Sequence, residues 1–125
     1  MLNTQTHSSR AKDPQAVIYQ IDRSTLEILP ASSSTFTSLQ DISDELPENQ
    51  PRFILLSYPM TLASGRMSVP YVMLNYLPEN TKQETRMLYA GAKELMRNTA
   101  EVNRIIEIGE AEEVEGIEEK LRGED

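Results

Sequence analysis

The chain carries few side chains that could do covalent or metal chemistry. It has no cysteine, so disulfides, thiolate metal ligands and cysteine nucleophiles are excluded. His7 is its only histidine and lies in a polar N-terminal stretch, where a role in catalysis is not expected. The Ser64-Gly65-Arg66 tripeptide has the composition of a turn and does not form a glycine-rich phosphate loop. The sequence therefore predicts a protein that is not an enzyme and that needs neither a cofactor nor a metal.

Carboxylates are concentrated at the C-terminus. Positions 107 to 125 contain nine acidic and two basic residues, whereas positions 1 to 106 contain eleven acidic and ten basic ones. The body of the chain is therefore almost neutral, and the net charge of −8 belongs to its end. Nucleic-acid partners are not expected, because phosphate binding normally requires an excess of positive charge. The acidic positions lie on a predicted exposed helix, where a solvated face explains them better than an acid–base pair.

A stripe of cations marks one side of a helix predicted between Asn80 and Ala100. At 100° per residue, four basic side chains share this side: Lys82, Arg86, Lys93 and Arg97. Such a stripe is either a solvated face or a surface that binds a partner. The opposite side is apolar or small, and we expect it to face the core: Leu88, Gly91, Ala92, Leu95 and Thr99.

Two further signals define this helix. Thr81 and Glu84 have the spacing of a capping box, in which each side chain binds the backbone N–H of the other residue. Gly91 in the helix interior costs about 1 kcal/mol relative to alanine. It therefore predicts close approach of the helix backbone to another element, most simply a sheet.

The remaining pattern predicts the elements that position this helix. Five apolar runs read as strands, the first two as a hairpin: 16–22, 25–29, 51–59, 67–77 and 103–108. The run at 51–59 is apolar on both faces and should be a central strand. Pro70 cannot donate to a ladder and marks a bulge or an unpaired position. A short helix is predicted around Ile42, and an acidic C-terminal helix carries the apolar stripe Val114, Ile117 and Leu121.

The predicted order is β-β-α-β-β-α-β-α. A crossover helix between the fourth and fifth strands implies one parallel pair within an otherwise antiparallel sheet. The expected fold class is therefore α/β in the wider, α+β sense, with a mixed sheet of about five strands between helices. We expect residues 1–14 to form a flexible arm and residues 15–123 to form one domain.

Several segments resemble the actin-depolymerising-factor homology domain, and specifically the glia maturation factor family. The resemblance covers about residues 15–122. The segments that carry it are DELPENQPRF at 44–53, Ser64-Gly65-Arg66 with Ser68 and Pro70, MLYAGAK at 87–93, NTAEVN at 98–103, and IIEIGEAEEVEGIEEKL at 105–121. It implies a gelsolin-like fold in which the sheet is sandwiched by helices.

The resemblance also implies a function. The family binds the actin-related protein 2/3 complex, inhibits branched actin nucleation and promotes debranching of filaments, with weak or no binding to actin itself. The first alternative is a cofilin-like protein that binds actin monomers and filaments and severs them. A second, from another class, is a small enzyme, which a pair of buried titratable residues in a pocket would support. A monomeric protein of the cytoplasm is expected, at cortical actin patches, with the nucleus as a second location. The sequence has no apolar run long enough for a membrane span, so no membrane partner is expected.

By position, the resemblance assigns two partner-binding surfaces. The long helix would enter a groove on an actin-related subunit through Glu84, Arg86, Lys93, Glu94 and Arg97. A second surface would combine Arg66 in the turn after the third strand with the C-terminal helix, including Lys120 and Arg122. Family members begin with an amphipathic helix, but residues 1–15 contain too few apolar side chains for one. Part of the sheet is therefore expected to be uncovered.

Overall fold

The computed structural model describes residues 13–122, so almost all of the predicted arm lies outside the described residues. Within this range seven strands follow one another: β1 (Gln15–Ile21), β2 (Ile28–Pro30), β3 (Arg52–Ser57), β4 (Met60–Thr61), β5 (Met67–Ser68), β6 (Tyr71–Tyr76) and β7 (Arg104–Ile108). The described residues also form three α-helices: α1 (Leu39–Glu45), α2 (Gln83–Ala100) and α3 (Ile117–Arg122). A 3-10 helix at Ala111–Gly116 leads directly into α3.

Five of the strands form one mixed sheet in the order β2-β1-β3-β6-β7. The pairs β1–β2, β1–β3 and β3–β6 are antiparallel, whereas β6 and β7 are parallel. The parallel pair is connected through α2, since parallel neighbours need a long crossover connection, which is usually a helix. The predicted mixed sheet is confirmed. So is its central strand, because β3 buries Ile54 and Leu56 on one face and Phe53 on the other.

The prediction of a single strand at 67–77 is wrong. Met67–Ser68 pairs with Met60–Thr61 in a separate two-stranded ribbon, and the sheet strand begins only at Tyr71. Pro70 separates the two parts because it has no N–H to continue a ladder. Its carbonyl still accepts a hydrogen bond from the N–H of Tyr58, at 3.0 Å.

The helices cover both faces of the sheet. On one face, α1, the 3-10 helix and α3 bury Ile42, Val114, Ile117 and Leu121 against the strands. This confirms the apolar stripe predicted for the C-terminal helix, although its first part is 3-10 and not α. On the other face, α2 packs alone within the described part of the chain. No helix within residues 13–122 is both long and apolar enough to cross a membrane.

The helix α2 begins at Gln83, and the predicted capping box is absent. The N–H of Thr81 donates to the carbonyl of Pro78 in a tight turn, so it is not available to Glu84. Lys82 becomes the N-cap and makes no side-chain capping bond. The Glu84 carboxylate instead lies 3.8 Å from the guanidinium of Arg23. A capping box does occur at the 3-10 helix, between Glu110 and Glu113.

Candidate functional site

Tyr89 sets the rotation of α2 on the sheet. Its ring lies 5.2 Å from that of Phe53 in β3, and its hydroxyl oxygen accepts a hydrogen bond from the N–H of Ile21 at 2.8 Å. Tyr89 and Met96 are the two fully buried side chains of the helix, with 3% and 6% of their surface exposed. The face that α2 presents to the core is therefore centred on these two residues.

The predicted core face is consequently rotated from the observed one. Leu88 and Ala92 lie at its margin and are partly buried against the cluster. Leu95, however, is 62% exposed, and nothing lies within 4 Å of the position that a Cβ on Gly91 would occupy. The expectation that Gly91 permits a close approach to the sheet is therefore wrong.

Three residues form a row along the solvent side of α2, which we call the outward row: Met87, Gly91 and Leu95. They are four positions apart, so they lie one above another on successive turns. Met87 is 65% exposed and Leu95 is 62% exposed. Glu84 and Glu94 are exposed beside the row. The outward row thus offers a narrow apolar ridge, interrupted by a glycine, with carboxylates next to it.

The cations of α2 lie beside the core face and not opposite to it. The Lys93 Nζ is 3.1 Å from Oε2 of Glu107 on β7, and Oε1 of the same carboxylate accepts from Nδ2 of Asn75 at 2.8 Å. The guanidinium of Arg86 donates to the carbonyls of Pro78 and Glu79. These contacts hold α2 on the side of β7. Lys93 and Arg86, which were predicted to bind a partner, therefore also stabilise the fold.

Arg97, the third cation predicted to bind a partner through α2, lies nearer to the outward row. Arg97 lies 3.4 Å from Oε1 of Glu94, one turn away on the helix surface. Exposed pairs of this kind contribute only about 0.2–1 kcal/mol to stability. Arg97 and Glu94 can therefore exchange this contact for one with a partner at little cost.

The second predicted surface is built on the β4–β5 ribbon. Arg66 is exposed at its tip, next to Gly65, whose φ of 91° favours glycine. Met67 and Val69 are exposed on the same ribbon and the segment after it. The ribbon therefore presents a cation and two apolar side chains together.

A network of hydrogen bonds ties α3 to this ribbon. The hydroxyl of Tyr58 donates to Glu118, and the guanidinium of Arg122 binds Glu118 at 2.8 Å and the carbonyl of Thr61 at 2.9 Å. Burial, together with the bond to Glu118, raises the pKa of Tyr58 to about 12. The same bond and the nearby Arg122 lower the pKa of Glu118. Arg122 thus positions α3, while Lys120 is exposed beside it.

The structure therefore brings the predicted residues together in two groups. Glu84, Arg86, Lys93, Glu94 and Arg97 all lie on α2, and Arg122 connects α3 to the ribbon that carries Arg66. Within residues 13–122, no three acidic or histidine side chains converge in a way that could hold a metal ion.

Sequence reasoning missed the outward row, although a signal for it was present. Met87-Leu88 and Leu95-Met96 are apolar doublets, and adjacent helical residues lie about 100° apart. One member of each doublet must therefore leave a narrow core stripe. Met87 and Leu95 are those members, and this makes them candidates for an interface.

The sequence matches known families over almost its full length. A family model described as cofilin/tropomyosin-type actin-binding protein matches residues 3–122. Glia maturation factor beta from Mus musculus is 36% identical over 108 residues, which cover 85% of this chain and 76% of the relative.

Solved structures show the same architecture. The solution structure of glia maturation factor from Caenorhabditis elegans superposes with a TM-score of 0.69 at 32% identity, covering 87% of this chain and 79% of that one. The crystal structure of Streptomyces griseoflavus cofilin gives a TM-score of 0.73 at 18% identity, covering 95% of this chain and 91% of the cofilin. At the latter identity the similarity shows the fold alone.

Proposed function

Because this chain belongs to the glia maturation factor family of the cofilin/tropomyosin-type actin-binding proteins, we propose that it binds the actin-related protein 2/3 complex. Through this binding it would inhibit branched nucleation and promote debranching. Family membership makes it an actin-regulatory protein. The choice of the branch-nucleating complex as its partner is our proposal, and so is the surface that makes the contact.

The observation that supports this surface most strongly is the outward row. Two large apolar side chains, Met87 and Leu95, are exposed two turns apart on a well-packed helix, and neither belongs to the core that residues 13–122 form. An amphipathic helix that lays such a row into an apolar groove is a common mode of recognition. We propose that the row enters a groove on an actin-related subunit, and that Gly91 lets the subunit approach the helix backbone.

The charged residues beside the row would form the polar rim of the interface. Glu84, Glu94 and Arg97 are at the margin of the row, while Arg86 and Lys93 lie further round the helix. An apolar centre with a charged rim is the usual anatomy of a protein interface. The ribbon with Arg66, and α3 with Lys120 and Arg122, would make a second and separate contact.

The experiment compares a row variant with a matched control. Leu95→Gln should weaken binding to purified actin-related protein 2/3 complex by roughly tenfold or more, the effect of losing one anchoring side chain. Leu29→Gln changes an exposed leucine on the edge strand β2 and should bind as wild type does. Equal binding by all three proteins would place the interface elsewhere on the molecule.

Co-sedimentation with pure actin filaments separates this proposal from the cofilin-like alternative. We expect little of the protein in the filament pellet, together with fewer branches when the complex nucleates actin. Saturable binding to pure filaments, with filament shortening and no effect on branch number, would instead favour a severing protein.

A further inference from the structure

The turn between β1 and β2 contains a leucine in a conformation that leucine rarely adopts. Leu26 has φ of 63°, in the left-handed region, and 63% of its surface is exposed. A side chain with a Cβ is disfavoured in this region, and glycine or asparagine is the usual occupant. An exposed leucine is also unfavourable in water. Two unfavourable features therefore coincide at one position.

The hydrogen bonds of the turn account for the backbone conformation but not for the leucine. The N–H of Leu26 donates to the carbonyl of Asp22 at 2.6 Å, and the N–H of Asp22 donates to the carbonyl of Glu27 at 2.7 Å. The Asp22 carboxylate accepts from the N–H groups of Ser24 and Thr25. All of these are backbone or Asp22 contacts, so an asparagine or glycine at position 26 would keep every one of them.

Within residues 13–122, one other non-glycine residue has a positive φ, and it has an ordinary explanation. Glu101, with φ of 58°, is the C-cap of α2, and its N–H donates to the carbonyl of Arg97. Left-handed residues commonly end helices in this way, and a glutamate there exposes only a polar side chain. Leu26 has no comparable structural reason to be apolar.

The turn lies next to the proposed interface. Arg23, three residues before Leu26, is paired with Glu84 in the first turn of α2, and both side chains are exposed. A polar cavity of about 490 Å³ separates this turn from the start of the helix and includes Asp22, Lys82 and Thr85 in its wall. A partner that covers the N-terminal part of the outward row would therefore reach the turn as well.

We infer that Leu26 is a second apolar anchor for the same partner. In this arrangement the subunit that receives α2 has a small apolar pocket beside its groove, and Leu26 fills that pocket, while Arg23 and Glu84 form the polar boundary between the two contacts. This inference rests on the proposed function, since it takes its partner from there. It extends the interface from one helix to the turn between β1 and β2.

The test is Leu26→Asn, which keeps the left-handed backbone accessible and removes the apolar side chain. We expect a melting temperature equal to or above that of wild type, and a roughly tenfold weaker affinity for purified actin-related protein 2/3 complex. Leu26→Gly removes the steric cost of the positive φ and should also bind more weakly than wild type. It tests the inference if the asparagine variant is unstable.

Two control variants test whether a left-handed backbone or an exposed leucine affects binding wherever it occurs. Glu101→Asn changes the other left-handed residue, and Leu29→Asn changes another exposed leucine of the same hairpin. Both should bind as wild type does. If wild type binds the complex and Leu26→Asn and Leu26→Gly bind equally well, the inference is overturned and the proposed function stands. If wild type itself does not bind the complex, the proposed function fails and the inference fails with it.

Discussion

The ammonium of Lys93 on α2 lies 3.1 Å from Oε2 of Glu107 on β7, and this pair joins the long helix to an edge strand of the sheet. Glu107 also accepts a hydrogen bond from Asn75 on the neighbouring strand. Lys93 therefore has a structural role in addition to the partner contact that we propose for it. A charge swap can distinguish these two roles.

Lys93→Glu should lower stability by about 1 kcal/mol, because it replaces a partly exposed attraction with a repulsion between carboxylates. Adding Glu107→Lys should restore the melting temperature, since the pair is re-formed in reverse. We expect affinity for the complex to remain low in the double variant, because the charge that faces the partner is still inverted. Recovery of affinity together with stability would mean that Lys93 only positions the helix.

Truncation of two adjacent residues of α2 should affect different properties, stability for Met96 and binding for Leu95. Met96→Ala removes a buried side chain and should cost roughly 2–5 kcal/mol in the free energy of unfolding. Leu95→Ala removes an exposed one and should change stability by less than about 0.5 kcal/mol, while weakening binding to the complex. Denaturant titrations of both variants measure the first effect. A large loss of stability for Leu95→Ala would mean that the helix is rotated from the orientation described.

Gly91→Ala should stabilise the protein and impair its function. Nothing in the described structure lies within 4 Å of the added methyl group, so the helix gains about 1 kcal/mol from the better helix former. If a subunit packs closely on the outward row, the same methyl group must weaken the affinity. A more stable variant with wild-type affinity would show that no partner approaches the backbone at this point.

The mixed sheet and its central strand could be predicted from the sequence because their signals are local. Pro51 to Pro59 is apolar on both faces, which is typical of a central strand, and the helix between β6 and β7 requires a parallel pair. Pro70 also indicated an interruption of the predicted strand at 67–77, but not that the strand would be divided in two. Whether Pro70 marks a bulge within one strand or the boundary between two depends on the pairing of Met67 with Thr61, which takes the residues before Pro70 out of the main sheet.

The rotation of α2 could not be predicted because two faces satisfy the same period. Leu88 and Leu95 are spaced as well for burial as Tyr89 and Met96 are. The choice is made by the N–H of Ile21 on β1, which gives the buried Tyr89 hydroxyl a hydrogen-bond partner 68 positions away. The capping box failed for a similar reason, since the N–H of Thr81 is already bonded within the preceding turn.

The contact between Tyr58 and Glu118 should make stability depend on pH at both extremes. The pKa of Tyr58 is raised from 10.0 to about 12, so the fold favours the neutral phenol. Its contribution is complete below pH 10 and is lost as the pH rises from 10 through 12. The pKa of Glu118 is lowered from 4.5, so its contribution is present above that pH and is lost at more acidic values.

Tyr58→Phe isolates this contribution. The difference in unfolding free energy between wild type and the variant should be constant at neutral pH and should shrink above pH 10 and below pH 4.5. Urea titrations at a series of pH values measure it. A difference that is the same at pH 7 and pH 12 would mean that the phenol makes no such bond in solution.

The most direct test of the outward row is to measure how fast Met87 is oxidised by dilute hydrogen peroxide, with and without saturating actin-related protein 2/3 complex. Met67 is exposed to a similar extent, at 62% against 65%, and because it lies on the β4–β5 ribbon it reports separately on the second proposed contact. Oxidation converts an accessible thioether to a sulfoxide, and mass spectrometry reports each methionine separately. We predict that the complex slows oxidation of Met87 at least as strongly as that of Met67. If the complex forms and Met87 is oxidised at the rate of the free protein, the outward row is not the binding surface.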